Sequence, residues 1–224
     1  MTGLLTVVAL AFVLGMRHAT DADHVIAVST IVTRHRSMGG ALRIGVAWGL
    51  GHTATILFVG CGIILLGWVI PPRVELSMEL AVGVMLVGLG LANLGAPRGP
   101  ESGASPDARI GSSFDGILGS LDPYQMARPA LVGVVHGMAG SAAVALLVLA
   151  TMPGPRWSIA YLMTFGVGTI LGMTLMTAAI GLPLLHPGAG AGTLPRRIER
   201  ATGALSLAFG LYLVYRVAFA AGLV

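Results

Sequence analysis

The chain has 224 residues, of which 55% are hydrophobic and only 10% charged, and its mean hydropathy is +0.88. Soluble domains carry about 25% charged residues, so this composition excludes a water-soluble globular protein. The net charge of +4 and the pI near 10.0 come from thirteen basic residues, all arginine, that cluster between apolar runs. Membrane topology accounts for such clusters, and nucleic acid is excluded as a partner. One cysteine, Cys61, excludes an internal disulfide or a thiolate metal site. A chain without lysine holds no Walker-type phosphate loop and so does not hydrolyse ATP by that route.

Six hydrophobic segments follow in order, over 3–33, 42–70, 78–96, 130–152, 157–185 and 199–221. Each is long enough to cross a bilayer as a helix, which needs about 20 residues. The expected fold is therefore all-α, a polytopic membrane bundle of six transmembrane segments. The first segment opens with an apolar run from Leu4 to Gly15 that has no basic residue before it and no small-x-small cleavage site, so it reads as a retained helix and not a signal peptide. Between the third and fourth segments, 97–128 is rich in Gly, Ser, Pro and Asp and reads as a loop.

The two halves resemble each other. Gly15 and His18 in the first segment correspond to Gly133 and His136 in the fourth. Trp48-Gly49-Leu50-Gly51-His52 in the second corresponds to Phe165-Gly166-Val167-Gly168-Thr169 in the fifth. Glu79, Ala81, Gly83 and Gly90 in the third correspond to Glu199, Ala201, Gly203 and Gly210 in the sixth. The expected organisation is a first three-helix repeat over 1–96, the loop over 97–128 and a second repeat over 129–224. Three crossings per repeat place the second copy upside down, the inverted 3+3 arrangement of many secondary transporters, whose binding site lies near the midplane. Nine arginines (Arg34, Arg36, Arg43, Arg98, Arg109, Arg128, Arg196, Arg197 and Arg200) fall on one side of this topology, against Arg73, Arg156 and Arg216 on the other. The first side is expected to be cytoplasmic and both termini periplasmic or extracellular, in a bacterial-type inner membrane.

Arg17, His18, Asp21, Asp23 and His24 lie within eight residues between two apolar runs. Ionisable groups inside a membrane are costly unless paired or metal-bound, which makes them functional candidates. Imidazole nitrogen and carboxylate oxygen suit nickel, cobalt or zinc. On a straight helix, six residues separate the two histidines by about 9 Å, too far to share one ion. Either the helix breaks here or the histidines serve sequential positions. Asp21 either pairs with Arg17 at i,i+4 or supplies negative potential to the site. His52 and His136, each beside a glycine, complete the list of intramembrane histidines. Glu79 and Glu199 near segment starts read as helix N-terminal carboxylates, and Thr164, Thr169 and Thr174 as residues able to bond across helices.

Arg17-His18-Ala19-Thr20-Asp21-Ala22-Asp23-His24 resembles the His-x4-Asp-His signature of the nickel/cobalt transporter (NiCoT) family, and Gly51-His52-Thr53 resembles its second signature. The stretch from Gly133 to Ala142 looks like the shorter urease-associated nickel permeases of the same superfamily. The resemblance implies selective permeation of Ni²⁺ or Co²⁺, usually uptake, as a transported substrate without a permanent cofactor. It implies His18, Asp23, His24 and His52 as ligands and a link to urease or hydrogenase maturation. The expected metal site is His18, Asp21, Asp23, His24, His52 and His136. An exporter of the same superfamily, an intramembrane zinc enzyme and a metal-delivering accessory protein are the alternatives.

Overall fold

A computed structural model describes residues 2–33, 37–95, 123–138, 152–182 and 194–223. Among these, the structure is entirely helical: α1 (Thr2–His18), α2 (Ala22–Val32), α3 (Met38–Leu66), α4 (Pro72–Leu94), α5 (Pro123–Met138), α6 (Pro155–Gly181) and α7 (Leu194–Tyr215), which ends in a π-helical turn over Arg216–Ala220. Local sequence sets the ends. The Ser37 hydroxyl accepts from Gly40 N–H at 3.1 Å to cap α3. Proline opens α4 and α6, where a missing N–H costs nothing. Gly67 closes α3 with φ 65°, which glycine adopts without strain.

Four helices among the described residues are long and apolar enough to cross a membrane: Met38–Leu66, Pro72–Leu94, Pro155–Gly181 and Arg196–Ala220. The first expected segment is two short helices and not one continuous helix. The chain leaves helical geometry after His18, and Asp21 stands extended at the start of α2 (φ −61°, ψ 146°). Thr20 N–H and its hydroxyl both turn back onto the Arg17 carbonyl, and Asp21 N–H onto that of His18. These bonds satisfy the α1 C-terminus locally and release the chain from the helix. Of the fourth expected segment, the part up to Met138 and its last residue, Met152, are described. The expected cytoplasmic loop over 97–128, except its final residues in α5, and the expected solvated His35 and His186 lie outside the described residues.

Helix contacts run through glycine. In α1 and α6, Phe12 faces Gly168, Gly15 faces Phe165 and Thr169, and Met16 with Ala19 faces Gly172, so the two helices are parallel. In α5 and α3, Ala130 faces Gly51, Gly133 faces Trp48 and His52, and Gly137 faces His52 with Thr55, so these are parallel too. α3 and α6 run antiparallel, with Gly45 against Thr174, Gly49 against Ile170 and Thr53 against Gly166. α4 and α7 are also antiparallel, with Gly83 against Val214 and Gly90 against Gly203. Ser206 Oγ donates to the Leu86 carbonyl at 2.8 Å across that pair, and Asn93 donates to the Thr30 carbonyl at 2.8 Å, fastening α2 to α4. The contact Gly15–Phe165/Thr169 recurs as Gly133–Trp48/His52, and Phe12–Gly168 recurs as Ala130–Gly51. Gly15 and Gly133, Trp48 and Phe165, Gly51 and Gly168, and His52 and Thr169 are residues matched between the two halves of the sequence.

A Cβ added at Gly133 would overlap the Trp48 carbonyl oxygen, which is helix backbone and has no room to yield, whereas a Cβ at Gly88 meets nothing. Gly133→Val is therefore expected to cost several kcal/mol, like other overpacked sites. Gly88→Ala is expected to be neutral or to stabilise by up to about 1 kcal/mol. Thermal unfolding of the two purified variants in one detergent measures the difference.

Candidate metal centre

The break in the first segment faces the middle of the bundle. His18 is the last residue of α1, and Asp23 and His24 lie in the first turn of α2. His52 stands at the middle of the 29-residue α3. His136 sits near the described end of α5, thirteen residues after a start at Pro123 that precedes the expected one. This puts His136 beside His24, with ring centroids 4.9 Å apart. His24, His52 and His136 are at most 1% exposed, and His18 is 6% exposed.

The rings form one cluster. Centroids lie 4.8 Å apart for His18 and His24, 5.0 Å for His18 and His52, 5.0 Å for His24 and His52, and 4.9 Å for His24 and His136. Two groups have ligand atoms close enough to hold one cation: His18 with His24 and His52, and Asp23 with His24 and His136, in both of which these atoms lie within 4.8 Å of one another. The structure thus brings together His18, Asp23, His24, His52 and His136. Asp21 joins through His18.

The carboxylates orient the rings. Asp21 Oδ2 lies 2.9 Å from His18 Nδ1, and Asp23 Oδ1 lies 3.0 Å from His24 Nδ1. An ionised carboxylate only accepts, so each Nδ1 carries the proton and each Nε2 keeps its lone pair. Carboxylate–imidazole pairs of this kind fix the tautomer of metal-binding histidines. Asp21 pairs with His18 rather than with Arg17, because the tight turn after α1 swings its side chain back over the helix end, while Arg17 is exposed. Asp23 also accepts from His24 N–H at 3.0 Å, and its Oδ2 lies 3.6 Å from His136 Nε2.

His18 Nε2 and His52 Nε2 stand 2.9 Å apart. That separation suits an N–H···N hydrogen bond. It also suits two lone pairs converging on one cation, because cis ligands at about 2.1 Å from a metal are about 3.0 Å apart at a right angle. His24 Nε2, His52 Nδ1 and both nitrogens of His136 are buried without a hydrogen-bond partner. An unsatisfied buried polar atom costs about 1–3 kcal/mol. A bound cation would satisfy one nitrogen of each ring that coordinates it.

Two aromatic residues enclose the cluster. Trp48 stacks over His24 at 6.2 Å and lies 5.3 Å from His136, and Phe165 lies 5.6 Å from His18. Sequence reasoning used Trp48 and Phe165 only as markers of the repeat. Their matched positions, one turn before His52 and Thr169, were the signal that could have placed them at the site. Other expectations changed. Thr164, Thr169 and Thr174 bond to carbonyls of their own helix and not across helices. Glu79 lies beyond the first turn of α4, which Pro72 opens, and forms an ion pair with Arg216.

A family model described as high-affinity nickel-transport protein matches residues 4–95. The urease accessory protein UreH of Bacillus sp. (strain TB-90) is 35% identical over 227 residues, which cover 98% of this chain and 95% of that protein. The chain belongs to the nickel/cobalt transporter superfamily. It is a short member, similar along nearly its whole length to that urease accessory protein. Its long apolar helices are those of a multi-pass membrane protein. The chloroplast protein FOR GROWTH AND FERTILITY 1 of Arabidopsis thaliana is 28% identical over 190 residues, and the match spans 80% of this chain but 51% of that protein. No solved structure matches the chain. The family model covers α1 to α4 and so contains five of the six expected site residues, leaving out His136.

If the carboxylates orient imidazoles, then Asp21→Asn should weaken nickel binding about 10–100-fold without abolishing it, as loss of such partners does elsewhere. His18→Ala removes a donor atom and should weaken it further. Equilibrium dialysis of ⁶³Ni²⁺ against the purified variants distinguishes the two.

Proposed function

We propose that this protein is a permease that takes up Ni²⁺, or Co²⁺, across a bacterial-type inner membrane, with the ion held near the midplane by the histidine cluster and Asp23. The observation that carries this reading is the set of four buried imidazoles, brought together from α1, α2, α3 and α5, with nitrogens left unpartnered in a membrane-spanning bundle. Buried polar atoms are otherwise paired, and a borderline cation is what this nitrogen and oxygen donor set would satisfy. The nickel-transport family model supports the choice of metal, and the similarity to a urease accessory protein supports a role in supplying nickel to urease maturation.

The architecture belongs to the same reading: six segments forming an inverted 3+3 repeat, 1–96 and 129–224 with the 97–128 loop in the cytoplasm, and both termini outside. The reciprocal glycine contacts support it, as do the antiparallel directions of α1 and α5, α3 and α6, and α4 and α7. In this arrangement the cation sheds water to enter a dry, aromatic-walled cluster. The α1 C-terminus, whose carbonyl end carries partial negative charge, faces it there. Three imidazoles select against Mg²⁺, which demands oxygen ligands and dehydrates reluctantly.

Reconstituted protein should take up ⁶³Ni²⁺ saturably, with inhibition by Co²⁺ but not by equimolar Mg²⁺, and His24→Ala should reduce uptake at least tenfold. Uptake unchanged in His24→Ala would remove the cluster from the pathway. Metal bound but never moved would favour the accessory or zinc-enzyme alternative.

A further inference from the structure

Two aromatic rings cover the histidine cluster on different sides, and they occupy matched positions in the two halves of the chain. Phe165 on α6 is 2% exposed, with its ring 5.6 Å from that of His18. Trp48 on α3 is fully buried, with its ring 5.3 Å from His136 and 6.2 Å from His24. The helix contacts give their order along the bundle. Gly49 meets Ile170 and Thr53 meets Gly166 across the antiparallel pair α3 and α6. One residue back on α3 puts Trp48 level with Leu171, and His52 level with Val167. His52 is thus between Trp48 and Phe165, whose levels are about 9 Å apart at about 1.5 Å per residue. A helical side chain leans toward the N-terminus of its own helix. Because the two helices run oppositely, the rings lean away from each other, Phe165 toward the Pro155 end of α6 and Trp48 toward the Met38 end of α3.

Two unbonded polar atoms accompany the rings. The Trp48 indole N–H is buried without a hydrogen-bond partner among the described residues, so no hydrogen bond fixes that ring in place. Tyr161 stands one turn from Phe165 on the Pro155 side, is 1% exposed, and its hydroxyl is also without a partner among the described residues. Buried hydroxyls are otherwise bonded, and this one lies in an apolar cluster with Ala11, Ile56 and Leu162.

We propose that Phe165 and Trp48 are the two gates of the transport path, Phe165 on the outer side and Trp48 on the cytoplasmic side, and that they open in turn. This rests on the transport reading above, its topology included, and adds what must move. An apolar ring over the donors excludes water and so bars a hydrated ion. Displacing one ring at a time gives each side access to the imidazoles without a continuous channel. The Tyr161 hydroxyl meets the water of an ion that approaches Phe165. Neither ring donates to the metal, so the gates set how fast the ion enters and leaves and not how tightly it is held.

The test uses the purified full chain as wild type, Phe165→Ala, Trp48→Ala and the double variant. ⁶³Ni²⁺ association and chelator-driven release are timed in detergent, and downhill ⁶³Ni²⁺ flux is followed in proteoliposomes. Each single variant should speed association and release together, by about tenfold or more, with affinity within about threefold of wild type. Flux should stay saturable in the single variants and lose saturation in the double variant. Leucine at either position, a smaller apolar plug, should move the rates in the same sense by less, and decides the matter if an alanine variant fails to assemble. Unchanged rates in both single variants would place the path elsewhere, past the part-exposed Asp21, and overturn the proposal. So would saturable flux in the double variant. Faster release with unchanged association would also overturn it, because that is the mark of a ring that only supports the donors. Wild type that neither binds nor moves Ni²⁺ would sink the transport reading itself, a different outcome from all of these.

Discussion

Everything in this structure is arranged around the burial of four imidazole rings within contact distance of one another inside an apolar bundle. Such rings are stable there only if their nitrogens have partners, since a buried polar atom without one is destabilising. Two carboxylates supply partners for two of the eight ring nitrogens. Asp21 and Asp23 each hold an Nδ1 proton and so leave Nε2 lone pairs turned inward. The remaining nitrogens of His24 and His136 have nothing to bond to within the protein. The cluster thus leaves buried nitrogens unbonded within the protein, which the proposed cation would engage.

Two features of the backbone make the cluster possible. The break after His18 shortens the path between the two histidines of the motif, which a continuous helix would hold about 9 Å apart along its axis. The glycine contacts bring α3, α5 and α6 close enough for rings on different helices to touch. The proposed repeat would explain why these contacts come in matched pairs, though its halves are not equivalent at the site. His18 and His136 correspond, but His52 corresponds to Thr169, whose hydroxyl bonds to its own helix at the Phe165 carbonyl. One half supplies most of the donors, and the other supplies one histidine and most of the frame.

Much of this was legible in the sequence, for physical reasons. A charged and imidazole-rich octet between apolar runs has few explanations in a membrane, and its length beyond a single span pointed to a break. The pairing of Asp21 with His18 in place of Arg17 was not legible, because it depends on the turn geometry at Thr20. Periodicity says nothing about which way a chain leaves a helix. His136 is among the expected ligands, but hydropathy places its segment start at residue 130, whereas the helix begins at Pro123 within a more polar stretch. The partner of Glu79, Arg216, lies in the last turn of the chain on another helix, and no local pattern joins them.

The central claim is that the buried imidazoles hold the transported ion directly. X-ray absorption at the nickel K-edge on the purified, nickel-loaded protein tests it most directly. The account predicts two or three imidazole nitrogens at about 2.1 Å, with the outer-shell scattering of imidazole rings and no sulfur. A shell of oxygens alone, with no imidazole scattering, would place the ion outside the cluster and contradict the account.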